Sequence, residues 1–169
     1  MSADVGSKAP DFTLTNQDRQ PVKLSEQRGK PVVLAFFPAA FSSVCTKELC
    51  TFRDSMAQLN AANAQVYGIS VDTFFTLKAF QDQQHYNFPL LSDFNKQAIR
   101  DYGVFNEDMI GLKGVAKRAV FVIDRDGVVR HRYLFGPQKA GTNVPAGIVP
   151  AASWPEALDK VSADLVQHA

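Results

Sequence analysis

Cys45 stands where a thiol could act as a nucleophile. It follows an apolar run over residues 31–37, which predicts a buried strand, and Pro38 ends that strand because proline has no N–H for a β-ladder. Ser42 and Ser43 are favourable helix caps and predict a helix that extends to about residue 60. Cys45 is therefore predicted to lie in the first turn of a helix. Unpaired N–H groups and the positive end of the helix dipole lower the pKa of a thiol there.

The rest of the sequence predicts the elements that must position this cysteine. They are an N-terminal β-hairpin over 12–24, a short helical turn at 25–29, a strand at 65–71, an amphipathic helix at 73–85, an extended piece at 88–91, a short helix at 95–102, a hairpin of strands 119–124 and 128–135, and a last helix from Ser153. Residues 136–152 are predicted to be a loop, since they are rich in glycine and proline and lack periodicity. Alternating strands and helices predict an α/β domain with a central mixed β-sheet.

Composition and charge narrow the classes of protein to which the chain could belong. The chain has 169 residues, 46% apolar and 21% charged, which predicts one globular domain over 1–169. A net charge of +1 gives no field that would attract nucleic acid or an anionic membrane, and no apolar stretch is long enough to span a bilayer. The N-terminus lacks the features of a secretory signal, so a cytoplasmic location is expected. In a reducing compartment, two cysteines favour catalytic or redox chemistry over a structural disulfide.

Pro38, Ser42 and Cys45 form a Pro-x3-Ser-x2-Cys pattern, and Glu48 follows three residues later. This pattern resembles the active site of the peroxiredoxins, in which a proline, a Thr or Ser and a cysteine have this spacing. Further similarities follow in the same order along the chain, over residues 5–12, 88–93, 102–105 and 118–124. The similarity is greatest to the alkyl hydroperoxide reductase E-like and bacterioferritin-comigratory (Q-type) branches.

The resemblance implies a thioredoxin-like fold and a thiol peroxidase that needs no haem, flavin or metal. Its substrates would be hydrogen peroxide or alkyl hydroperoxides, attacked by the Cys45 thiolate. It also implies that Ser42 offers its hydroxyl to the peroxide and that Arg118 stabilises the thiolate and polarises the peroxide. Pro38 would shield the site from water, and Glu48 would fix the surrounding polar groups. The implied partners are thioredoxin or a glutaredoxin-like reductant, and relatives include monomers and homodimers.

Each of these residues has a simpler interpretation. Ser42 is a good helix cap without any catalytic role, and a Glu such as Glu48 in a first turn is favoured by the helix dipole. Arg118 would be a solvated charge at a strand edge if the cysteine motif were absent. For Cys45 the alternative is a buried structural cysteine.

Cys50 is the second cysteine, five residues after Cys45. In an ideal helix, residues five apart have Cα atoms roughly 8–9 Å apart, on different sides of the axis. A disulfide needs Cα atoms closer than about 7 Å, so it requires the helix to unwind. The Q-type branch uses this separation for its resolving cysteine, which implies that Cys50 resolves the Cys45 sulfenic acid. The E-like branch lacks a cysteine there, and a one-cysteine enzyme with Cys50 as a small buried residue is the alternative.

Other classes of protein fit less well. A thiol–disulfide oxidoreductase would place two residues between its cysteines, and Cys45 and Cys50 have four. A redox sensor on the same fold is a further alternative. His85, His131 and His168 do not stand at metal-ligand spacing from one another or from the cysteines, so no metal site is expected.

Overall fold

A computed structural model describes residues 3–134 and 148–150, without the side chains at 43–45, 47, 48, 51 and 148–150. The described elements are β1 (Thr13–Asn16), β2 (Pro21–Lys23), a 3₁₀ helix (Leu24–Gln27), β3 (Val32–Phe36), α1 (Ser43–Asp54), α2 (Met56–Ala61), β4 (Gln65–Ser70), α3 (Phe74–Gln84), β5 (Leu90–Ser92), α4 (Gln97–Asp101), β6 (Phe105–Asn106), β7 (Val115–Ala116), β8 (Ala119–Ile123), β9 (Val129–Leu134) and β10 (Ile148–Pro150). Both predicted hairpins are present, as β1–β2 and β8–β9.

The described strands form an eight-stranded mixed sheet in the order β10-β9-β8-β3-β4-β5-β1-β2, and β6 and β7 form a separate pair. Strands β3, β4 and β5 are parallel to one another, whereas β8 runs antiparallel to β3. The predicted class, an α/β fold with a central mixed sheet flanked by helices, is confirmed. Within the two described ranges, no helix combines the length and apolar character needed to cross a lipid bilayer.

Strand β3 explains the apolar run that precedes the cysteine motif. All five of its residues are buried, because both faces of the sheet are covered. Val33 and Ala35 belong to a core cluster that also contains side chains of α1, α2 and α3. The alternate residues, Leu34 and Phe36, belong to a second cluster on the opposite face, with side chains of α4 and Phe121 of β8. Burial on both faces requires apolar residues at every position of β3.

The predicted helix over residues 42–60 is in fact two helices, which meet at Ser55. The Ser55 N–H bonds to the carbonyl of Phe52 at 3.1 Å, a three-residue spacing that ends α1, and its own φ and ψ are −99° and 3°. Serine competes with helical hydrogen bonding, and its preference for helix ends accounts for the break. Cys45 and Cys50 both lie in α1, before the break.

The loop predicted over residues 136–152 is wrong at Ile148–Pro150, which forms β10. This short strand pairs in parallel with β9, with Val149 opposite Tyr133. Three residues are too few to show periodicity, and the pairing depends on the open edge that β9 offers. The other residues of 136–152, and the helix predicted from Ser153, lie outside the described residues.

Candidate active site

One edge of the sheet holds Pro38 and Arg118, which the sequence predicts as site residues, together with two aspartates. Since β3, β4 and β5 are parallel, their carboxyl ends share this edge, and the antiparallel β8 begins there. Pro38 lies just beyond β3, Asp72 just beyond β4 and Asp93 directly after β5, while Arg118 immediately precedes β8. Carboxyl ends of parallel strands are where α/β proteins most often place their sites.

The loop between β3 and α1 is held in a defined conformation. Phe37 continues the strand pairing by donating its N–H to the Ile69 carbonyl at 3.0 Å, and Pro38 is buried. Phe41 has a φ of 65°, a left-handed conformation that costs about 1–2 kcal/mol for a residue with a side chain. Its ring is 46% exposed and lies 5.0 Å from that of Phe80 in α3. Backbone strain of this kind persists where the surrounding structure over-determines it and is concentrated at functional sites.

Helix α1 begins directly after this loop. The Thr46 N–H donates to the carbonyl of Ser42 at 2.9 Å, so Ser42 occupies the capping position and Cys45 is the third residue of the helix. The prediction that Cys45 lies in the first turn is confirmed. The first turn contains no acidic residue, and Glu48 is the sixth residue of α1, so the interpretation of Glu48 as a first-turn residue is wrong. The side chains of Cys45 and Glu48 lie outside the described residues.

Arg118 reaches the same edge through the pairing of β8 with β3. Its neighbour Ala119 pairs with Phe36, the last residue of β3, so the Arg118 backbone lies beside the point where the chain leaves the sheet toward α1. The preceding residue, Lys117, donates its N–H to the Val104 carbonyl at 2.7 Å, which anchors this end of β8. The Arg118 side chain is half-buried. The contact between Arg118 and the Cys45 thiol stays a prediction.

Two aspartates at this edge have different structural roles. The Asp72 carboxylate accepts hydrogen bonds from the Ala40 N–H at 2.8 Å and the Ser70 hydroxyl at 2.7 Å, and so holds the loop before α1. Asp93 instead caps α4, accepting the backbone N–H groups of residues 97–99 at 2.8–3.1 Å. Burial raises the pKa of Asp93 above its ordinary value, against the effect of these N–H groups. The role of Asp93 is therefore structural, since its carboxylate caps α4.

Cys50 is a half-buried free thiol on the side of α1 that faces the end of α3. Its Sγ atom lies 3.7 Å from Oε1 of Gln84 and 3.8 Å from the hydroxyl of Tyr86. That hydroxyl also donates to the Thr46 carbonyl at 3.3 Å. The Arg53 guanidinium joins the same two helices by donating to the Gln84 carbonyl. The α1 turn that contains Cys50 is thus attached to α3 and to the segment that follows it.

The sequence did not identify Asp72 or Tyr86 as site residues. An aspartate directly after a buried strand is a detectable signal for Asp72, since strand ends carry the polar groups of many α/β sites. Tyr86 has no such signal. Its contact with Thr46 joins residues 40 positions apart in the chain, and it exists only because α3 ends where it does.

Together these features describe an α/β protein of the thioredoxin-like class, with a cysteine in the first turn of the helix that follows a central strand. A model of the AhpC/TSA family matches residues 5–132. The chain therefore belongs to the AhpC/TSA family, the peroxiredoxins, as the sequence resemblance predicted.

Individual relatives agree with this assignment. The chain is 43% identical over 136 residues to the chloroplastic peroxiredoxin Q of Suaeda salsa, covering 79% of this chain and 62% of that protein. It is 42% identical over 130 residues to alkyl hydroperoxide reductase E of Mycobacterium bovis, covering 75% and 82%. The crystal structure of the peroxidoxin BcpB from Mycobacterium tuberculosis superimposes with a TM-score of 0.78 at 31% identity, covering 96% of each chain. The chain matches less than two thirds of the length of the chloroplastic relative.

Proposed function

We propose that this protein is a thiol-dependent peroxidase that reduces hydrogen peroxide and organic hydroperoxides. The observation that carries the proposal is the position of Cys45 as the third residue of α1, directly beyond the end of β3. Helix N–H groups and the helix dipole favour the thiolate at that position, and the thiolate is the reactive form of cysteine. Membership of the peroxiredoxin family supports the same chemistry. We take residues 1–169 as one such domain, in a cytoplasmic protein.

In the first step, the Cys45 thiolate attacks the terminal oxygen of the hydroperoxide. An S–O bond forms as the O–O bond breaks, leaving Cys45 as a sulfenic acid, and the departing oxygen takes a proton to become water or an alcohol. The departing oxygen develops negative charge, which fixed donors stabilise. In this proposal those donors are Arg118, the Ser42 hydroxyl and the N–H groups at the start of α1. Pro38 shields the thiol from water, and Glu48 fixes the polar groups around it.

In the second step, Cys50 resolves the sulfenic acid. Both cysteines lie in α1, and in an intact helix their Cα atoms are roughly 8–9 Å apart, beyond disulfide distance. The first turns of α1 therefore unwind before the disulfide forms. Thioredoxin or a glutaredoxin-like protein then reduces the disulfide and restores both thiols. The half-burial of Cys50 against the core also favours a competing possibility, a one-cysteine cycle in which Cys50 only packs.

Peroxide consumption with and without thioredoxin tests this cycle. The native chain is expected to turn over only with the reductant, Cys45→Ser is expected to be inactive, and Cys50→Ser is expected to lose thioredoxin-driven recycling. Mass spectrometry after one equivalent of peroxide separates the two cycles, because a disulfide shows as the loss of two hydrogens. A stable sulfenic or sulfinic Cys45 beside a free Cys50 thiol would contradict the resolving role. Insulin disulfide reduction by the native chain would favour an oxidoreductase instead.

A further inference from the structure

Tyr86 lies in the segment that connects α3 to β5, and its side chain reaches α1. His85 ends α3 in the left-handed conformation, with a φ of 56°, and both its N–H and that of Tyr86 bond to the Gln81 carbonyl. The Tyr86 side chain is 5% exposed, and its ring packs against Phe80 at 5.1 Å and Phe88 at 5.4 Å between centroids. Aromatic packing on two sides fixes the direction in which the hydroxyl points.

The hydroxyl of Tyr86 meets one turn of α1 at two points. It donates to the Thr46 carbonyl at 3.3 Å and lies 3.8 Å from the Sγ atom of Cys50. In an α-helix the carbonyl of residue 46 is also the acceptor for the N–H of residue 50. One hydroxyl therefore contacts both the Cys50 thiol and the carbonyl that closes the helical turn ending at Cys50.

We propose that Tyr86 is a positioning residue that holds this turn of α1 closed and thereby limits how fast oxidised Cys45 forms a disulfide with Cys50. The inference rests on the proposed function, since it requires Cys50 to resolve the sulfenic acid. In that reaction the S–S bond forms as the S–O bond of the Cys45 sulfenic acid breaks. The thiol proton of Cys50 leaves with the hydroxyl group as water. The peroxide that oxidised Cys45 is the only oxidant required.

The geometry explains why the hydroxyl opposes disulfide formation. Bringing the two Cα atoms within about 7 Å requires the Thr46 carbonyl and the Cys50 thiol to leave their positions in α1. The Tyr86 ring cannot follow them, because it is packed between Phe80 and Phe88. The hydrogen bond is present in the closed helix and lost in the unwound one, so it lowers the population of the unwound form.

Tyr86→Phe tests this proposal, because it removes the hydroxyl and keeps the ring. After one equivalent of peroxide, samples are quenched at successive times, alkylated and measured by mass spectrometry, so that sulfenic acid and disulfide are followed separately. Disulfide formation from the sulfenic acid is expected to be about three- to tenfold faster than in the native chain. A factor of this size corresponds to the net contribution of one hydrogen bond to the stability of the closed helix. With excess peroxide, the yield of sulfinic Cys45 is expected to fall. Deuterium uptake by peptides covering residues 46–53 is expected to rise.

Tyr102→Phe is the matched control. Its hydroxyl also donates to a backbone carbonyl, that of Pro10 at 2.7 Å, but it lies in the core cluster on the other face of the sheet. It is expected to form the disulfide at the native rate, which separates a local effect from a general loss of stability. A Tyr86→Phe rate equal to or below the native rate, or equal acceleration by Tyr102→Phe, would overturn the role of Tyr86 alone. Absence of any disulfide in the native chain would overturn the resolving role of Cys50 and this inference with it.

Discussion

The backbone N–H of Ala40 donates a 2.8 Å hydrogen bond to the carboxylate of Asp72. Ala40 lies in the loop between β3 and the start of α1, whereas Asp72 follows β4. The same carboxylate is fixed by the Ser70 hydroxyl at 2.7 Å, and the Asp72 carbonyl accepts the Ser92 hydroxyl at 2.6 Å. The position of the loop that leads to Cys45 is therefore set by the neighbouring strands β4 and β5.

Replacing Asp72 is expected to slow the first step of the reaction. Asp72→Ala removes the acceptor for the Ala40 N–H, and a small displacement of reacting groups lowers rates steeply, so we expect a fall of about tenfold in the second-order rate of peroxide consumption. Asp72→Asn keeps one acceptor oxygen and is expected to recover most of that rate. Asp82→Ala, which removes an exposed carboxylate from α3, is the control with native activity. Equal activity of Asp72→Ala and the native chain would refute this role.

Arg118 is expected to be needed for the attack on peroxide. Loss of a donor that stabilises a developing anion typically costs about 10²–10³ in rate, so Arg118→Met is expected to lose activity in that range, and Arg118→Lys to lose less. The matched control is Arg125→Met, because Arg125 is an exposed arginine just beyond the opposite end of β8. Single-turnover peroxide consumption compares the variants. Similar rates for Arg118→Met and Arg125→Met would show that Arg118 has no role in the attack on peroxide.

A side chain at position 68, where the chain has Gly68, is expected to destabilise the fold. It lies in β4, and a Cβ there would come 2.7 Å from Cδ2 of Leu90 and 3.4 Å from the ring of Phe37. These neighbours are fully buried and cannot move aside, so Gly68→Ala is expected to lower the free energy of unfolding by about 1–3 kcal/mol, measured by urea denaturation. The double variant with Leu90→Ala relieves the clash and is expected to lose less stability than the sum of the single variants. Simple additivity would contradict this explanation.

Asp124 is expected to make the free energy of unfolding depend on pH in the acid range. Burial would raise the pKa of Asp124, but hydrogen bonds from the Val128 N–H, the Arg130 guanidinium and the Asp126 N–H outweigh it and hold that pKa below its ordinary value. The folded state thus favours the carboxylate. The contribution of the Asp124 carboxylate to the free energy of unfolding is present above the pKa of the unfolded chain, about 3.9. It is lost as the pH falls through the lower pKa of the folded state.

Asp124→Asn measures this contribution. It is expected to be less stable than the native chain by about 1–2 kcal/mol at pH 7, and the difference is expected to shrink as the pH falls toward the folded pKa. Urea denaturation at a series of pH values provides the comparison. Asp126→Asn, at an exposed position in the same turn, is expected to follow the native curve. A gap between Asp124→Asn and native that is independent of pH would contradict the assignment to the carboxylate.

The sequence predicts the central strands and the place of Cys45 because these depend on local patterns. Burial on both faces imposes a continuous apolar run on β3, and the serines before Cys45 favour the start of a helix at that point. The two hairpins have equally local turn signals. Sequence similarity then adds Arg118, which pattern alone would leave as a charge beside a strand.

Long-range contacts account for what the sequence does not predict. The bond from Ala40 to Asp72 joins residues 32 positions apart, and that from Tyr86 to Thr46 joins residues 40 positions apart. Such contacts depend on how the helices pack on the sheet, which a local pattern does not encode. The pairing of β10 with β9 is likewise decided by an available edge, since the three residues of β10 have no distinctive periodicity.

The role of Cys45 as the thiol that reduces peroxide can be measured without any reductant. Reduced protein is mixed with excess hydrogen peroxide, and the early consumption of peroxide is compared for the native chain, Cys45→Ser and Cys50→Ser. The native chain and Cys50→Ser are expected to show a rapid consumption of about one equivalent per chain, and Cys45→Ser none, because oxidation to the sulfenic acid uses one peroxide per thiolate. Rapid consumption by Cys45→Ser would show that a group other than Cys45 reduces the peroxide.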